Sequence, residues 1–112
     1  MSLTDTLRQI SAGFADVTTA YHYRRPDKAP APYLVWQEDG EGSSFQADNK
    51  KFLQCLEGSA DYYTQTEFDP VIDALQDKLT ELCLAWRLDS VDYETDTGLI
   101  HYSWKWGTSY GA

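Results

Sequence analysis

The apolar residues change period twice in the second half of the chain, and that change limits the fold more than any other feature. Leu56, Gly58, Ala60 and Tyr62 share one parity while Glu57, Ser59 and Asp61 share the other, which is the pattern of a strand with one wet side. Asp69 and Pro70 then interrupt, and Ile72, Leu75, Leu79 and Leu82 follow at helical spacing. Asp69 suits the N-cap, and Pro70 suits the first helical position, where a missing N–H is no loss. Alternation returns in Ile100, Tyr102, Trp104 and Trp106. Strand, helix and strand in this order call for helices laid on a sheet.

The rest of the chain agrees with that layering. Leu3, Leu7, Ile10 and Phe14 predict a helix over residues 2–15, opened by Ser2 with Asp5 in place of the usual capping-box Glu, and weakened in its last turn by Gly13. "AYHYRR" (residues 20–25) alternates like a half-exposed strand, and "YLVW" (33–36) is a short β-rich run. Between them "PDKAPAP" carries three of the four prolines and must be extended. Trp86–Glu94 and Leu99–Trp106 flank "TDTG" as a hairpin, with Gly98 able to supply a positive φ. The apolar parity slips between Leu88 and Val91, so a bulge or bend is expected there. Residues 107–112 read as a flexible tail. The expected fold is one α+β domain over residues 1–112, ordered α-β-β-β-α-β-β, with a mainly antiparallel sheet of about five strands packed by two helices.

Composition supports a core: 42% of the 112 residues are hydrophobic and 14% are aromatic, so disorder throughout is excluded. The formal net charge is −9, and residues 36–98 alone hold fifteen acids against four bases. A bare duplex or an anionic membrane is therefore a poor partner for the middle of the chain. No apolar run approaches the roughly 18 residues that span a bilayer, and no secretory leader is expected. Cys55 and Cys83 form neither a CxxC pair nor a disulfide framework, so a thiol-reducing cytosol is the expected compartment.

Motifs with chemical meaning fail on inspection. "WQEDGEGSSFQADNKK" (36–51) tests as a calcium loop from Asp39 through Glu41 and Ser43, but its sixth position is Ser44 and its twelfth is Lys50, which would repel the ion. Gly40 and Gly42 lack the Gly-Lys-Ser/Thr of a phosphate cradle, and Glu38, Asp39 and Glu41 would repel phosphate. The stretch is expected to be a β–β connection with an acidic tip. "GTSYG" (107–111) matches G-x-S-x-G at Ser109, yet no helix and no His follow it. His22 and His101 could meet across the sheet and, with a carboxylate, hold zinc; two strand histidines flanked by tyrosines are the plainer reading. Glu57 and Asp61, roughly 13 Å apart on a strand, are too far apart for a retaining glycosidase pair and wide for an inverting one. Cys55 and Cys83 read as small core residues. Thus no catalytic, metal-binding or cofactor-binding residues are expected.

The aromatic set Trp86, Tyr93, Tyr102, Trp104 and Trp106 could stack on bases, but its acidic surroundings lack the cations of a single-strand track. Core packing or a subunit interface involving Trp104 and Trp106 suits it better. Arg24, Arg25 and Lys28 form a basic patch that could meet an acidic face on a neighbouring subunit.

The runs "PYLVWQEDGEGSSFQADNKK", "EGSADYYTQTEFDPVIDALQDKL" and "LDSVDYETDTGLIHYSWKW" resemble the small tail-terminator (tail-completion) proteins of long-tailed phages and prophages, often labelled minor capsid proteins. The likeness covers roughly residues 30–106 and is most specific in the strand "ADYYTQTEFDP", which leads into an Asp-Pro helix start. It implies an α+β subunit of a homo-oligomeric ring, a hexamer, located at the tail–head junction of the virion and assembled in the bacterial cytoplasm. Such a ring ends the growing tail tube, docks on the head connector, and performs no catalysis. DNA would slide through its lumen without specific binding, and an acidic lining would keep phosphate from adhering. Glu38, Asp39 and Glu41 are the expected lumen or axial-loop residues, with a solvated loop tip as the plainer reading. Another head–tail joining or neck protein shares the ring logic. An acidic DNA-mimicking inhibitor is the alternative from a different class, and it would need charges spaced like phosphates.

Overall fold

The computed structural model describes residues 2–42, 45–47 and 50–110, with side chains described outside residues 45–54 and 110. Its elements are α1 (Leu3–Ala15), β1 (Ala20–His22), β2 (Tyr33–Glu41), β3 (Phe45–Ala47), β4 (Lys50–Thr64), α2 (Pro70–Glu81), β5 (Ala85–Glu94) and β6 (Leu99–Tyr110). Five strands follow the spatial order β1-β2-β4-β6-β5, and the short β3 pairs only with β4. β1 runs parallel to β2, while every other pairing is antiparallel. This is the α+β domain expected, in the expected order, with β3 added.

Both helices begin where the sequence places them. Ser2 Oγ accepts from Asp5 N at 3.1 Å, and Asp69 accepts from Val71 N at 2.9 Å with Pro70 in the first helical turn. Ile10 and Phe14 from α1 and Leu75 and Leu79 from α2 are buried against the sheet. Leu3, expected in the same stripe, remains exposed in the first turn of α1.

On β4 the inward set is Leu56, Gly58, Ala60 and Tyr62, all buried. Trp106 stands opposite Gly58 in the register. A Cβ at residue 58 would overlap the Trp106 indole and the carbonyl of Gln37, so only glycine allows that ring to lie flat on the strand. Trp36, Trp104 and Phe14 complete the centre, with Phe14 and Trp36 tilted at 5.6 Å. Buried aromatics of this size dominate core energetics.

The last two strands carry the anticipated irregularity. Leu88 pairs with Trp104, Ser90 with Ser103 and Val91 with Tyr102, so the register shifts between Leu88 and Ser90. The bulge restores parity and keeps Trp86, Leu88, Val91 and Tyr93 on the side that faces the helices. Gly98 closes the hairpin at φ 70°, donating to Glu94 O at 2.8 Å.

Three expected boundaries need correction. The strand expected over 20–25 ends at His22, because Tyr23 adopts φ 77° and turns the chain away. β2 does not stop at Trp36; it continues to Glu41 because β4 supplies its hydrogen-bond partners as far as Leu56. Residues 107–110, expected as part of a flexible tail, extend β6 and pair with Gln54–Glu57. Residues 111–112 of that tail, and Ser43, Ser44, Asp48 and Asn49 of the expected connection, lie outside the described residues.

Candidate functional site

The two histidines do not meet, since β2 and β4 lie between β1 and β6. His22 is stacked between Tyr23, at 3.7 Å, and Trp36, at 4.0 Å. Its Nε2 lies 2.6 Å from Glu38 Oε1, and the Tyr23 hydroxyl donates to Glu38 Oε2 at 2.5 Å. Burial pushes the Glu38 carboxyl up, but the hydrogen bonds from Tyr23 and His22 more than reverse it and hold it below the usual range. The left-handed backbone at Tyr23 brings its ring back over His22. The result is a side-chain clamp on the short outer strand.

His101 sits on the sheet face away from the helices. Its Nε2 is 2.7 Å from Asp61, and its ring stacks on Tyr63 at 4.3 Å. Tyr63 stacks in turn on Tyr33 at 4.9 Å, and the Arg25 guanidinium lies 4.9 Å above the Tyr33 ring. Burial, with the nearby Asp61 charge, pushes the Tyr63 phenol up to about 12, so it is protonated at neutral pH. Each imidazole is held by a carboxylate and by stacked rings, an arrangement that orders a surface. Among the described residues, no three His, Cys, Asp or Glu side chains group to hold a metal ion.

A third carboxylate, missed as a network in the sequence, anchors α2. Asp69 Oδ2 accepts from Tyr62 Oη and from Thr64 Oγ1, both at 2.7 Å, while Oδ1 caps the helix at Val71 N. Burial pushes this carboxyl up, and the three donors outweigh it and lower it overall. The available signal was Thr64, which continues the inward parity of Tyr62 and so brings a hydroxyl to the N-cap.

The charged residues singled out in the sequence separate. Glu38, Asp39 and Glu41 belong to a strand and not to a loop tip, and Glu38 is taken up by the His22 clamp. Asp39 and Glu41 are exposed near the outer end of β2, with Asp39 accepting from Gln37 Nε2 at 2.8 Å. Arg24 and Lys28 are exposed beyond β1, whereas Arg25 folds over Tyr33 and donates to Ala29 O. Trp104 and Trp106 cannot form a subunit interface as expected: they are 0% and 2% exposed beneath the helices. Trp104 Nε1 donates to Gln76 at 3.1 Å, while Trp106 Nε1 has no hydrogen-bond partner among the described residues.

The remaining sequence candidates stay apart. Asp61 is engaged with His101, and Glu57 is exposed. Ser109 lies within β6 opposite Cys55, far from any nucleophile-elbow geometry. Cys83, expected in the core, is exposed: the chain leaves α2 at Leu82, and Cys83 takes φ 61°. Cys55 is half-buried. Two surface depressions are open to solvent. One of about 510 Å³ is bordered by Asp39, Glu57, Arg87 and Lys105, and one of about 500 Å³ by Cys55, Cys83 and Ser109. Charges of both signs border the first, so neither resembles an enclosed apolar ligand pocket.

What the chain presents outward is its outer strands. β1 is three residues long and β5 is ten, with Leu88, Val91 and Tyr93 exposed on β5. No helix among the described residues is long and apolar enough to cross a membrane. Compared with known proteins, the chain matches no family model and no curated protein.

Proposed function

We propose that this chain is a structural subunit of a ring that ends a phage tail tube and joins it to the head connector. The observation that carries this reading is the inequality of the two sheet edges: a long outer strand with exposed apolar side chains at one end, and a short clamped strand followed by Arg24 and Lys28 at the other. Two unlike patches on opposite sides of one subunit are what a repeated head-to-tail contact needs, and such contacts form a ring when the rotation between neighbours closes. The resemblance of residues 30–106 to tail-terminator proteins supplies the position in the virion. The aromatic and imidazole groups are spent on packing and clamps, which accords with a role carried by surfaces.

In this reading Asp39 and Glu41, exposed near the outer end of β2, face the DNA path and repel phosphate. Glu38 has no such part, since His22 and Tyr23 occupy it. The test is electron microscopy of the purified protein and of tails assembled without it. Rings together with overlong tails are expected. A persistent monomer with tails of normal length overturns the proposal.

A further inference from the structure

Six large hydrophobic side chains are exposed among the described residues, five of them toward the two edges of the sheet. Leu88, Val91 and Tyr93 lie on β5, opposite Trp104, Tyr102 and Ile100, so they face the helix side but extend past the cover of α2. Phe68, 89% exposed at φ 58°, stands on the loop from β4 into α2. That loop leaves Thr64, which pairs with Ile100, which pairs with Tyr93. β4 is the central strand, so Phe68 stands at the Tyr93 end of the sheet but two strands in from the β5 edge. The remaining two, Leu3 and Tyr23, belong to the opposite edge: Tyr23 follows β1, and Leu3 opens α1, the helix that packs on β1.

Charge divides along the same line. The β5 strand and its turn carry Asp89, Asp92, Glu94 and Asp96 against Arg87, which is paired to Asp89 at 2.7 Å. The β1 side, α1 included, carries Arg8, Arg24, Arg25 and Lys28 against Asp5, Asp16 and Asp27. A left-handed backbone that sets a large ring in water is costly unless something covers it. A β5-to-β5 pairing would set acids against acids, which costs affinity. A β5-to-β1 pairing matches both polarity and sign.

We infer that the β5 edge of one copy receives the β1 edge of a second. Leu88, Val91 and Tyr93 cover Leu3 and Tyr23 of that copy, while Asp92 and Glu94 meet its Arg24 and Lys28. This inference rests on the ring reading and names the contact that builds the ring. The occupant is a second copy because each half of the contact is present on this chain and lacks what the other supplies. Two different edges joined in this way pass the same contact around a closed set of subunits.

The test is light scattering over a concentration series on the wild type and four variants, each checked for wild-type circular dichroism. Val91→Lys with Tyr93→Lys should raise the concentration for half-assembly roughly tenfold or more. Arg24→Glu with Lys28→Glu, and separately Asp92→Lys with Glu94→Lys, should each weaken assembly. Combining the two reversals should restore it. If the wild type assembles and the lysine variant assembles equally well, or the combined reversal is no better than its parts, this contact is overturned while the ring reading stands. A wild type that is monomeric at every concentration overturns this contact, and if tails assembled without it are also of normal length the ring reading falls as well.

Discussion

β1 is three residues long and β5 is ten, and the shorter outer strand is the one whose end is tied by side chains. At β1, Glu38 grips His22 and Tyr23, and the neighbouring Arg25 lies over Tyr33. β5 pairs with β6 along its length and is braced by Trp86, whose indole donates to Thr80 of α2 at 3.0 Å. A long outer strand with exposed apolar side chains is a template for pairing, and chains that keep one either protect it or use it. The clamp ties the end of β1 to its neighbour and the bulge shapes β5 without covering it. One edge is short and held in place by side chains, and the other is long and apolar.

The sharpest way to break this contrast is at the helix that braces the β5 side. Asp69→Ala removes the N-cap of α2 and orphans the hydroxyls of Tyr62 and Thr64, so unfolding in urea should show a loss of about 3 kcal/mol. Asp69→Asn, which keeps an acceptor, should lose clearly less. Equal losses for the two variants would show that the acceptor is not what matters.

A smaller effect is expected at the β1 clamp. Glu38→Gln should cost about 1 kcal/mol at neutral pH, since the group is partly solvated and Gln retains one acceptor. The pH dependence follows from the direction of the shifts. Glu38 and Asp69 both have carboxyls lowered on folding, so their contributions are complete above the ordinary carboxylate range. These contributions are lost as pH falls through the lowered folded values. Urea midpoints measured from pH 7 to pH 3 should therefore fall less steeply in Glu38→Gln than in the wild type. Identical slopes would remove the clamp from the account.

The smallest effect on the isolated subunit is expected on β5 itself. Leu88→Lys at an exposed position should change subunit stability by less than about 0.5 kcal/mol, measured in dilute monomer. A loss like that at Asp69 would mean that β5 supports the fold, and the contrast between the two edges would fail.

Much of the architecture was legible because it rests on local rules. Asp69-Pro70 opens α2, alternation marks the inward side of β4, and the lost parity between Leu88 and Val91 locates the bulge. The outer reach of β2 was not legible, since Gln37–Glu41 have no apolar alternation of their own. They form a strand because the neighbouring β4 accepts and donates along it. The same holds for residues 107–110, which follow the alternating run yet stay paired with β4. Trp104 and Trp106 were legible as sharing one parity with Ile100 and Tyr102, but parity does not say which side the helices cover.

The sequence by itself determined the elements, their order and the helix starts, because capping, proline geometry and side-chain period act within a few residues. Only the tertiary structure decided which charges remain available at the surface. Glu38 is drawn inward by His22 and Tyr23, while Asp39, Arg24 and Lys28 stay exposed and Arg25, also exposed, lies over the Tyr33 ring. It also set Leu88, Val91 and Tyr93 on one edge strand and Tyr23 beyond the other. That separation depends on the strand order β1-β2-β4-β6-β5, which arises from long-range pairing and leaves no local periodicity to read.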